Sequence, residues 1–189
     1  MQYKSIKIGL FVLLALVQLY IPANMIWQQQ KTITQGKAYR FETAPVDPND
    51  PFRGKYITLR FTAEDYSPED WDAIPSRGKI NVLLGEDENG LAKVIGLQEF
   101  KPEAGVDYFK AEIDYKNKSR QIVSLHFPFD KYYMEESKAY EAELAHRRAN
   151  RDSSQLTYAL VMVREGETAL EDVIMDGVSI KEVVESVQD

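Results

Sequence analysis

Among 189 residues the chain has no cysteine and only two histidines, His126 and His146. The first absence excludes a disulfide framework, a thiol nucleophile and every Cys-ligated zinc or iron–sulfur centre. The two histidines fall on different expected elements, with no HxH or HExxH spacing, so no metal is expected. Positive charge is also short. Lys and Arg total 23 against 30 Asp and Glu, for a net charge of −7. Broad nucleic-acid binding needs a basic face and is excluded on that balance. No GxSxG, SxxK or P-loop pattern is present, so no cofactor and no assembled catalytic set are expected. A hydrophobic fraction of 44% and a charged fraction of 28% are ordinary for folded chains and argue against disorder.

What the chain does have is one long apolar run. Sixteen of the twenty residues from Ile8 to Trp27 are apolar, the exceptions being Gly9, Gln18, Pro22 and Asn24. At about 1.5 Å per helical residue, twenty residues span about 30 Å, the thickness of a hydrocarbon core. The run fits a retained signal-anchor over residues 1–27 that meets the bilayer through residues 8–27. A cleaved signal peptide is the rival, with Lys4 and Lys7 as its charged end, but Ile21-Pro22-Ala23 is a poor cleavage site. A buried core helix fits worse, because no polar stripe recurs at helical spacing. Lys4 and Lys7 ahead of the span favour a cytoplasmic N-terminus, with the rest of the chain on the outer side of the membrane. The 162 residues after Trp27 carry 21 basic and 30 acidic side chains, a net −9. They divide into a polar juxtamembrane stalk, 28–36, and a domain, 37–189.

That domain reads as mainly β. Residues 37–43 alternate, with Tyr39, Phe41 and Thr43 on one side, and residues 55–62 alternate with Ile57, Leu59 and Phe61 opposite Tyr56, Thr58 and Arg60. Residues 79–85 and 91–98 form a hairpin around Asn89-Gly90, a pair that supplies positive φ. Residues 106–115 and 120–127 form another, and 156–163 and 169–175 are the last clear strands. A short helix is expected to start at Ser67-Pro68 and end before Pro75. The one longer helix is expected over 135–151, opening with Glu135 and Glu136 and closing with Arg147, Arg148 and Arg151, which complements the macrodipole. The predicted architecture is an antiparallel sheet or partly closed barrel (mainly β, α+β) with one packed helix, preceded by a single transmembrane helix.

Candidate chemistry concentrates between Pro45 and Phe61. Asp47 and Asp50 flank Pro48-Asn49, which fits either an oxygen cluster for a cation or a rigid turn, and EF-hand spacing is lacking. Arg53, at the bend before Gly54, suits a bidentate anion clamp or an ion pair that locks the turn against Asp47 or Asp50.

The stretch from Gly54 to Phe61 resembles the motif of the bacterial GDYXXLXY protein family, matching at Gly54, Tyr56 and Leu59. It departs with Lys55 in place of aspartate and Phe61 in place of the final tyrosine, which speaks against catalysis at either position. Phe129 to Glu135 (FDKYYME) resembles the family's second signature, an aromatic pair before a glutamate that opens a helix. The resemblance implies a membrane-anchored protein and supplies no reaction. It adds Tyr56, Tyr132, Tyr133 and Glu135 to Asp47, Asp50 and Arg53 as candidate ligand- or partner-binding residues, with no catalytic residue assigned. Three roles remain open: a binding or assembly module for an integral membrane protein or envelope ligand, a hydrolase using Glu135 and Arg53, and an accessory subunit recognised through its transmembrane helix.

Overall fold

The computed structural model describes residues 2–44, 56–133 and 156–187. Helix α1 (Gln2–Gln35) comes first. Its best window has a mean hydropathy of 2.0 and none of it is buried among the described residues, unlike a core helix. The helix is long and apolar enough to cross a membrane. The polar segment 28–35 continues the same helix, since Gln and Lys are good helix formers. It abuts the strands Thr157–Arg164 and Glu167–Met175 of the domain. Thr32 is buried there, and Gly36 ends the helix with its N–H on the Thr32 carbonyl at 2.9 Å. A Cβ at Gly36 would run into that carbonyl and lie 3.1 Å from the Val163 oxygen, so only glycine lets helix and domain approach this closely.

Twelve strands are described: β1 (Lys37–Ala44), β2 (Tyr56–Thr58), β3 (Arg60–Phe61), β4 (Asp65–Tyr66), β5 (Gly78–Glu86), β6 (Ala92–Gln98), β7 (Tyr108–Asn117), β8 (Ile122–His126), β9 (Lys131–Tyr133), β10 (Thr157–Arg164), β11 (Glu167–Met175) and β12 (Val178–Ser179). A single 3-10 turn, Thr62–Glu64, joins β3 to β4, and a short helix α2 (Ile180–Val187) follows β12. Two five-stranded antiparallel sheets result, ordered β12-β11-β10-β1-β3 and β4-β8-β7-β5-β6, with β2-β9 as a separate ribbon. This is the expected β-rich, partly closed architecture. The helix expected over 135–151 lies outside the described residues.

Local chemistry explains the hairpins. Asp87 accepts from the Asn89 and Leu91 amides through its carboxylate, and Gly90 takes a φ of 73°. Only the glycine of the Asn-Gly pair is left-handed, which makes a turn with a bulge rather than a two-residue loop. Asn117 repeats the device, accepting from Ser119 and Arg120 while Gln121 takes a φ of 52°. Glu165-Gly166 and Asp176-Gly177 are tight two-residue turns with positive φ at both positions. The helix expected at Ser67-Pro68 does not form. Asp70 instead caps a single turn by accepting from the Asp72 and Ala73 amides at 3.2 Å, and Pro75 leaves no room for a second turn.

The two sheets share one core of phenylalanines. Phe41 from β1 is fully buried and meets Phe61, Phe109, Phe127 and Phe129 at ring distances of 5.9, 5.9, 5.8 and 4.9 Å. Phe127 and Phe129 come from the β8–β9 connection and not from a strand. The sheets also join at an edge, where the Lys110 N–H donates to the Gly166 carbonyl at 3.3 Å and the Tyr108 ring covers Gly166. At the root of β1, the Lys37 ammonium sits 3.1 Å from Glu86 and donates to the Tyr39 hydroxyl, which donates to Asp107 at 2.7 Å. These hydrogen bonds, that to Tyr39 foremost, hold Lys37 above the usual lysine range.

Candidate functional site

The strand expected over residues 55–62 is divided at Leu59. Its N–H donates to the Asp130 carbonyl at 2.7 Å, so Tyr56–Thr58 pairs with β9 while Arg60–Phe61 pairs with β1. The division brings two stretches distant in sequence into one antiparallel ribbon, with Tyr56 opposite Tyr133, Ile57 opposite Tyr132 and Thr58 opposite Lys131. Directly opposed residues share a face. Ile57 and Tyr132 therefore point inward together, and Tyr56 and Tyr133 point outward together.

On the outer face the Tyr56 and Tyr133 rings lie 5.5 Å apart, tilted by 58°. The Lys131 ammonium stands 5.7 Å from the centre of the Tyr56 ring. Tyr133 is 69% exposed, unusual for a large aromatic side chain in a folded domain. Paired, half-fixed aromatic rings beside a cation offer a flat, amphipathic surface with few rotamers to freeze on binding.

On the inner face Tyr132 is 5% exposed. Its hydroxyl donates to Asp172 Oδ1 at 2.9 Å, and the Ser179 hydroxyl donates to Asp172 Oδ2 at 2.7 Å. The Ser179 oxygen in turn accepts from the Lys181 amide in the first turn of α2. Burial first, and then the neighbouring Asp172 carboxylate, push the Tyr132 phenol far above its ordinary range. It is a neutral tether that fixes the ribbon to β11 and α2, not a source of protons. Tyr132→Phe should lower stability by about 1.5 kcal/mol, as expected for one hydrogen bond to a carboxylate. Thermal unfolding of the full-length protein in detergent checks this, and an unchanged melting temperature would show that the tether does not hold the ribbon.

The motif residues sort by the same alternation. Leu59 and Phe61 are core side chains, each 2% exposed, while Tyr56 is the outward one. A phenylalanine at position 61 therefore suits its buried place. Asp47, Asp50, Arg53 and Glu135 lie outside the described residues. In the sequence Arg53 stands three residues before Tyr56, and Glu135 two after Tyr133.

Sequence reasoning passed over Glu64. Its side chain ends the 3-10 turn, is 7% exposed, and accepts from the Phe61 N–H at 3.4 Å, with Arg60 Nε at 3.7 Å. Burial raises its carboxyl to about 7, and the Phe61 amide, Arg60 and the nearby His126 only partly oppose it. A groove of about 460 Å³ between the second sheet and the start of β11 is lined by Lys79, Lys110, Glu112, His126 and Glu167 among others. Its charges are mixed, and Lys110 is already paired with Glu167 at 2.9 Å. Among the described residues no cluster of acids and histidines could hold a metal ion.

A family model described as GDYXXLXY protein matches residues 18–173. No curated protein and no solved structure matches the chain.

Proposed function

We propose, from the premise that the chain belongs to the GDYXXLXY protein family, that it is a membrane-anchored binding or assembly module. Residues 1–27 are its signal-anchor and the domain from Lys37 onward lies on the outer side of a bacterial cytoplasmic membrane. The lysines at positions 4 and 7 support that orientation, because basic residues ahead of a span are retained inside. The recognition surface is the outer face of the β2–β9 ribbon, extended by Asp47, Asp50, Arg53 and Glu135 on the chain segments that enter and leave it. Its partner is an integral membrane protein or an envelope ligand.

The observation that carries this reading is the ribbon itself. Two stretches remote in sequence, the motif segment and the Tyr132-Tyr133 pair, meet as neighbouring strands and turn Tyr56 and the exposed Tyr133 to the outer face. An exposed aromatic ring such as that of Tyr133 suits recognition, because its flat amphipathic surface has few rotamers to freeze on binding. Full-length protein should be extracted from membranes with the wild-type chain or with Arg53→Ala, Tyr133→Ala or Glu135→Ala. The wild type is expected to retain its partner through purification, and each variant to lose it by roughly tenfold or more, the effect of a hot-spot residue. The melting temperature should stay unchanged. Equal recovery of the partner with all three variants would overturn the assignment of this surface.

A further inference from the structure

We infer that the transmembrane helix pairs with a second copy of itself through Gln18. The inference rests on the anchor reading above and concerns a different surface. Ile8 to Trp27 spans the hydrocarbon, and Lys31 covers the Trp27 ring at 3.6 Å, which marks the headgroup end of the span. Gln18 is then at the bilayer midplane, the most expensive depth for a primary amide. None of the apolar window is buried, so no described residue of the domain shields that amide.

Pro22 sits inside α1, four residues after Gln18. Proline has no N–H, so the Gln18 carbonyl loses its i+4 donor. Residues four apart lie on one side of a helix. One face at the midplane therefore carries an amide with two N–H donors and a carbonyl lacking its regular donor. Lipid tails supply neither a donor nor an acceptor.

The occupant follows from depth and chemistry. Two copies inserted with the same topology place Gln18 at the same level. The side-chain N–H of each then reaches the main-chain carbonyl of the other, so the contact is reciprocal about a two-fold axis. Any other helix would need its own polar group at that depth, whereas a second copy has it by construction.

The absence of cysteine makes the test direct, because each added thiol is unique. Leu14 and Met25 share the Gln18–Pro22 face, and Leu16 lies on the opposite one. Full-length Leu14→Cys, Met25→Cys and Leu16→Cys should be compared in phosphatidylethanolamine/phosphatidylglycerol vesicles under mild oxidant. Disulfide-linked dimer is expected from the first two and not from Leu16→Cys. Adding Gln18→Leu to Leu14→Cys should lower the dimer yield roughly fivefold to tenfold, the range of the two reciprocal interhelical hydrogen bonds lost together in lipid. Adding Pro22→Ala, which restores a donor to the Gln18 carbonyl, should lower it too. Gln18→Leu makes the span more apolar, so its effect is not a failure to insert. Equal cross-linking on both faces, or a yield unaffected by Gln18→Leu, would overturn the inference. Carbonate extraction of the same vesicles reports separately on the anchor: a protein that stays with the lipid but remains monomeric sinks this inference alone.

Discussion

Phe41→Ala is expected to destabilise the domain by about 3–5 kcal/mol, a large part of the 5–15 kcal/mol that holds a typical domain folded. The ring is fully buried, and four other phenylalanines surround it at 4.9 to 5.9 Å, in tilted or edge-on arrangements that favour aromatic pairs. Those neighbours come from both sheets and from the β8–β9 connection, so no single element can shift to fill the void. The removed ring loses its transfer free energy, and the cavity left behind adds to that loss. Phe41→Leu retains most of the volume and should lose less, under about 2 kcal/mol. Denaturant titration of the full-length protein in detergent measures both. A loss below about 1 kcal/mol for the alanine variant would mean that the two sheets do not depend on a common core.

The strands around that core were readable because each has a wet and a dry face. In β1 the alternation of Tyr39, Phe41 and Thr43 with charged neighbours survives intact as buried and exposed positions. The hairpin over 78–98 was equally plain, since Asp87 and Gly90 carry the turn locally. What escaped depended on partners remote in sequence. Residues 55–62 read as one strand because the alternation does run through Leu59. The division appears only when the Asp130 carbonyl takes the Leu59 amide. The same pairing makes neighbours of Tyr56 and Tyr133, and no local pattern announces it. Phe127 and Phe129 flank a proline in a connection, where periodicity has no meaning, yet both are core rings. Residues 28–35 look like a polar stalk by composition and are helical because they extend α1 up to the domain. Asp47, Asp50, Arg53 and Glu135 were named from turn chemistry and resemblance, and the described residues fix only where their segments attach.

Glu64→Gln is expected to stabilise the protein at pH 8 and to leave it unchanged near pH 4. A glutamate in the run Thr62-Ala63-Glu64-Asp65 reads as a solvated surface residue, but the 3-10 turn tucks this one under the corner between β3 and β4. Arg60 does not rescue the charge, because its side chain is about half exposed and its nearest nitrogen is 3.7 Å away, where water screens the pair. The folded-state carboxyl therefore titrates at about 7 instead of 4.5. Below pH 4.5 both folded and unfolded chains bind the proton, and the difference vanishes. Between 4.5 and 7 the folded chain keeps a proton that the unfolded chain has released, so stability falls as pH rises. Above 7 both forms are ionised and the full penalty applies. At 1.36 kcal/mol per pH unit, that penalty is about 3 kcal/mol. Glutamine can still accept the Phe61 amide and never ionises, so it avoids the penalty at every pH. Melting temperatures of the two full-length proteins in detergent should coincide near pH 4, diverge between about pH 4.5 and 7, and stay apart up to pH 8 with the variant higher. Parallel curves, or a variant less stable than wild type at pH 8, would show that the carboxylate is held by its neighbours and not opposed by its burial. The effect falls on the corner that ends the signature strand at Phe61.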